Sequence, residues 1–212
     1  MKLTVISSAV ALALVGCAVA PVHAAEAAQV AAAPAAVKLH AALRGLWHGH
    51  VEHTRAYALA VKAHDAAAAD KAAKDVVANA TQIADAVGGF YGEAAGKQML
   101  QLLAGHWGGV KALTDAEQRG DAAAKQKAMN DLVANGDAIA GFLATANPYL
   151  KKDAVLSLLT AHVGHHAAQV REIMQGDMPA EAKTWSAMQA HMDVIADALA
   201  DAIARQFPAK AA

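Results

Sequence analysis

Cysteine is nearly missing from this chain. Cys17 is the only one in 212 residues, so no intramolecular disulfide and no thiolate metal site can form. No excess of one charge appears either: 18 Lys and Arg stand against 19 Asp and Glu, a net charge of -1. A surface that grips nucleic acid normally shows as a basic excess, and that partner is excluded on this ground. Past the first residues no unbroken apolar stretch reaches the roughly 18 residues that a membrane-crossing helix needs. Whole chemistries lack their parts: no glycine-rich loop ends in a lysine, no Cys-x-x-Cys or Cys-x-x-Cys-His occurs, and the paired Glu-x-x-His motifs of a di-iron bundle are absent. His48 and Glu52 alone make a weak fragment of a hemerythrin-like pattern. No nucleophile stands beside a base, which argues against an enzyme.

What the chain does have is histidine, 11 in all, and a self-similar step of 56 residues. Leu46-Trp47-His48-Gly49-His50, Leu102-Leu103-Ala104-Gly105-His106 and Leu158-Leu159-Thr160-Ala161-His162 repeat one another at that step. Asp65 to Ala68 likewise answers Asp121 to Ala124, and Asp75 to Asn79 answers Asp131 to Asn135, with Asp177, Ile195-Ala196 and His191 in the third copy. A period of this length marks a stacked supersecondary unit.

The N-terminus, Met1-Lys2 followed by an apolar run to Val15, reads as a secretory signal over 1–24. Two cleavage patterns are open: Val22-His23-Ala24 for ordinary processing, and Leu14-Val15-Gly16-Cys17 as a lipobox that would leave Cys17 lipidated. The Ala/Pro-rich stretch 25–38 has no periodic apolar face and is expected to be a flexible tether. Residues 39–208 then form one domain of three units, 39–92, 93–148 and 149–208.

Each unit carries two apolar stripes at helical spacing, such as Leu43, Leu46, Trp47, His50, Thr54 and Tyr57, then Ala72, Val76, Asn79, Ile83 and Val87. Asp65, Asp121 and Asp177 are placed as N-caps, the last two directly after Gly120 and Gly176. Gly88-Gly89 and Gly92 are expected to break the chain, and Asn147-Pro148 to open the third unit. The fold class is therefore all-α, an up-and-down bundle of six helices of about 22 to 26 residues, joined by short turns.

Residues equidistant from an antiparallel turn lie level with one another, which places His50, Asn79, His106, Asn135, His162 and His191 in one polar layer across the middle of the bundle. Two readings of that layer stand. In the first, His and Asn pair with each other and fix helix register. In the second, His50, His106, His162 and His191, joined by His166 one turn beyond His162, hold copper or zinc, while Asn79 and Asn135 stay structural. Non-covalent haem between two layer histidines is a lesser alternative. His53 and His165 are boundary positions, and His48 and His64 fall on the surface.

Leu43 to Val51 with Thr54-Arg55, Ala146-Asn147-Pro148, and His191 through Ala196-Asp197 to Gln206-Phe207-Pro208 resemble an uncharacterised family of bacterial all-helical proteins. The resemblance covers nearly all of 42–208 and implies no catalytic motif. Kinase and glycosyltransferase labels found in that family have no phosphate loop or nucleotide-sugar site here to support them. His50, His106, His162 and His191 match histidines of its pattern, whereas His53 and His166 stand where it has Trp and Thr. The sequence thus leads to an exported, periplasmic or lipidated, non-enzymatic bundle that binds copper or zinc. The alternative is an envelope protein that meets a partner protein and uses the layer for register alone. Oligomeric state is open in both.

Overall fold

In the computed structural model, residues 23–211 are described, with side chains from Val37 onward. Residues 1–22, which carry the expected signal segment and Cys17, lie outside the described residues. The architecture is all-α: six helices and no strands among the described residues, α1 His23–Lys62, α2 Ala66–Tyr91, α3 Glu93–Arg119, α4 Ala122–Ala146, α5 Lys152–Gln175 and α6 Met178–Gln206. None is long and apolar enough to cross a membrane.

The helices start and stop for local reasons. Asp65, Asp121 and Asp177 cap α2, α4 and α6, each carboxylate accepting the backbone N–H three residues on, at 2.9, 3.0 and 3.1 Å. Gly120 and Gly176 end α3 and α5 in the left-handed conformation, φ 67° and 76°. His64 takes the corresponding place after α1 with φ 56°.

The backbone of 25–38 is helical and forms the first part of α1, in keeping with the high helix propensity of alanine. Two expectations need correction. Gly88 and Gly89 lie inside α2, and the break comes at Gly92 (φ 94°). Gly88 serves packing instead, since a Cβ on Gly96 of α3 would lie 3.1 Å from its Cα. Asn147-Pro148 closes α4, and α5 begins only at Lys152. Proline biases the residue before it towards extended backbone, and Asn147 has φ -132° and ψ 114°.

Each helix packs on its neighbour in the chain, and α6 packs back on α1 to close a ring. The odd-numbered helices α1, α3 and α5 also touch one another in the centre. They run parallel: His50 meets His162, and Lys62 reaches the carbonyl of Met174, both pairs 112 residues apart. Helices α1 and α6, which close the ring, run antiparallel, as the pairs His40 with Asp201 and His48 with Asp193 show.

Apolar packing dominates one half, with Leu43, Trp47, Met99, Leu103, Met188 and Ile203 buried against Phe90, Tyr91 and Phe207. Towards the other end Glu181 is fully buried and receives Arg55 Nε and Nη2 at 2.6 and 2.8 Å and Gln169 Nε2 at 3.0 Å. Arg44 pairs with Asp197 on the seam where α6 meets α1. The histidine layer lies between these two regions.

Candidate metal centre

The odd helices each deliver an imidazole to the axis of the bundle, because the 56-residue step returns the same face to the same height. His50 comes from α1, His106 from α3 and His162 from α5, and His166 follows one turn later on the face of His162. Their exposures are 3%, 4%, 3% and 1%. The ring centroids form a compact tetrahedral set: His50 lies 5.6, 5.5 and 5.7 Å from His106, His162 and His166. His106 is 5.4 Å from His162 and 5.7 Å from His166, and the last two are 4.4 Å apart. One nitrogen from each ring falls within 4.8 Å of all the others.

Little satisfies these nitrogens. His166 Nε2 and His162 Nε2 share one hydrogen bond of 3.0 Å, so one of the two rings carries its proton there. His50 Nε2, both nitrogens of His106 and His162 Nδ1 are buried without a partner. Beside them a small cavity of about 20 Å³ is lined by Trp47, His50, His106, Gly136 and His162. That is room for a species about the size of one water.

Burial keeps all four rings neutral. It pushes His50 down to about 3, with His106 and His53 adding to the effect. His106 is pushed down to about 4 by burial, eased by the nearby Asn135 amide although no hydrogen bond joins them. His162 and His166 are held well below the usual histidine range by burial first and the neighbouring imidazoles second. A neutral imidazole is the form that ligates metal.

The remaining layer residues are placed differently from the expectation. Asn79 Nδ2 donates to the carbonyl of Leu46 at 3.0 Å, Asn135 Nδ2 to that of Leu102 at 3.0 Å, and His191 Nε2 to that of Leu158 at 2.9 Å. The three bonds recur at the 56-residue step and tie each even helix to the odd helix before it. His191 therefore stands outside the four-ring group, and its partner is backbone. Asn79 and Asn135 do not pair with imidazole either; glycine brings their amides onto the backbone of α1 and α3. A Cβ on Gly49 or Gly105 would lie 2.9 or 3.0 Å from the amide nitrogen.

Of the expected ligands, His50, His106, His162 and His166 come together and His191 does not. His53 and His165 lie at the boundary, half-buried, and His64 is exposed. His48 is half-buried, held by Asp193 at 2.8 Å. The set of half-buried Arg55 with buried Glu181 and Gln169 went unread in the sequence, because Arg55 aligns with Lys111 and Ala167 at the repeat step and nothing marks Glu181 as interior.

Comparison with protein families, curated proteins and solved structures finds no match to this chain.

Proposed function

We propose that this protein binds one transition-metal ion, copper or zinc, through His50, His106, His162 and His166, as a non-enzymatic metal-handling protein of the cell envelope. The observation that carries the reading is four convergent, neutral imidazoles in one buried layer with four ring nitrogens unpartnered. A buried polar group left unpaired costs about 1–3 kcal/mol. Four of them cost on the order of 4–12 kcal/mol, comparable with the whole net stability of a domain. Register alone would not require that expense, since Asn79, Asn135 and His191 already fix register through backbone carbonyls. An ion takes one nitrogen from each ring, which gives His50 Nε2 and one of the two His106 nitrogens the partner they lack.

Nitrogen-only, tetrahedral donors suit zinc and copper, whereas magnesium and calcium require oxygen. At bond lengths of about 2.0–2.1 Å the ligand nitrogens of a tetrahedral ion lie about 3.3 Å apart, so loading draws the rings inward from their spread of up to 4.8 Å. No carboxylate joins the donors, and the ion's full charge stays in the layer. The desolvation cost rises with the square of that charge, which favours copper(I) over a divalent ion of similar size.

The test is elemental analysis of the purified protein, with copper(I), copper(II) and zinc titrations followed by thermal melting. One ion per chain and a melting temperature that rises on loading, both lost in His106→Leu, support the reading. A wild-type protein that takes up none of these ions sinks it.

A further inference from the structure

The four-ring group is enclosed, so an ion has to cross the helix shell to reach it. One seam of that shell differs from the other two. Between α5 and α6, His165 and His191 lie half-buried with their ring centroids 5.4 Å apart. At the 56-residue step the matching positions are His53 and Asn79 on α1 and α2, and Gly109 and Asn135 on α3 and α4. Among the described residues only the third seam has two imidazoles at this position.

The bond made by His191 does not require imidazole. Asn79 and Asn135 bond the matching carbonyls with an amide, so histidine at 191 adds something the fold does without twice. What it adds is Nδ1. With its Nε2–H donated to Leu158 O, His191 is fixed in the tautomer whose Nδ1 lone pair is available, as metal-ligating histidines are fixed by a backbone carbonyl. His165 is the chain neighbour of His166, and lies three residues after His162.

Building on the metal-binding reading above, we propose that His165 and His191 form a loading site at the α5/α6 seam, which captures a copper or zinc ion and passes it to His162 and His166. Transfer is ligand exchange: a bond to His165 or His191 breaks as one to an inner ring forms, with no change of oxidation state. The hydrogen bond between His162 Nε2 and His166 Nε2 opens in the process, and the ring that donated it moves its proton from Nε2 to Nδ1, so that both Nε2 lone pairs reach the ion.

The test uses the full metal-free chain and zinc ion supplied from a chromogenic chelator, with uptake followed by stopped flow and final occupancy by elemental analysis. Two variants are compared with wild type. The first is His165→Gln. The second is His191→Asn combined with Ala161→Gly, which gives the third seam the amide and the glycine found in the first two and so keeps the bond to Leu158. We expect both to fold, to reach one ion per chain, and to load about tenfold or more slowly. Uptake at the wild-type rate in both variants overturns the loading site and leaves the buried centre standing. Loss of the bound ion at equilibrium in the second variant also overturns it, because His191 would then belong to the buried centre. No uptake by wild type of zinc, or of copper(I) supplied in the same way from its own chromogenic chelator, removes the centre itself, and the loading site with it.

Discussion

Acidifying the metal-free protein tests the neutral, unpartnered state of the buried rings. An unfolded histidine titrates near 6.5, whereas His50 and His106 in the fold titrate near 3 and 4. Below pH 6.5 the unfolded chain takes up protons that the folded chain refuses, so stability falls as pH falls. The contribution of each ring is fully present above the unfolded value and is lost between about pH 6.5 and its folded value. At pH 5 the loss is about 2 kcal/mol for His50 and about 2 kcal/mol for His106, roughly 4 kcal/mol together. His162 and His166 are shifted the same way and add to it. Against a net stability of about 5–15 kcal/mol this places acid unfolding near pH 5, above the range where carboxylates such as Asp197 protonate. Urea unfolding followed by circular dichroism from pH 7.5 to 4 measures it directly. We expect a steep loss beginning just above pH 6, reduced in His106→Leu by about the share of one ring. A stability that stays flat down to pH 4.5, or an identical slope in His106→Leu, would refute the account.

Three further outcomes follow from packing and caps. Glu181→Ala leaves Arg55 and Gln169 facing an apolar gap; since Arg55 retains some solvent access, the loss should fall at the low end of the buried-pair range, about 3 kcal/mol in urea unfolding at pH 7. Gly109→Ala drives a Cβ to 2.7 Å from Leu132 Cδ2 and should cost about 1–3 kcal/mol, whereas Gly108→Ala, with nothing within 4 Å, should be neutral or stabilising by up to about 1 kcal/mol. Asp65→Ala, Asp121→Ala and Asp177→Ala should each lower stability by about 1 kcal/mol, and a variant with no measurable loss would place its cap outside the cooperative unit.

The contrast between the two kinds of polar residue in the layer shows what the sequence exposes and what it hides. Stripe spacing and the aspartate caps are local, so the helices and most of their ends could be read directly. The shared height of His50, His106 and His162 followed from the repeat step. Which helices stand inside did not, because an alanine-rich stripe faces a neighbour and an axis with the same residues. Once α1, α3 and α5 hold the centre, an imidazole on α6 belongs to the periphery however well its position aligns, and this is where His191 goes. One clue was present: Gly49 and Gly105 admit an amide to the backbone, and Ala161 accompanies the histidine that replaces it. His166 was legible as the second ring of a four-residue pair. The burial of Glu181 depended on Arg55 and Gln169 arriving from two other helices.

The closed ring, with α6 laid against α1, carries a topological consequence. His40 near the start of the described bundle meets Asp197 and Asp201 near its end, so the contact that completes the circle is of the same kind as the five made by consecutive helices. No helix is structurally first. A circularly permuted protein, with a short linker joining the region of Phe207 to that of Leu39 and new ends opened at Gly120, keeps every interhelical seam intact. It makes α4, α5 and α6 before α1, α2 and α3, and it lacks the part of α1 that precedes Leu39.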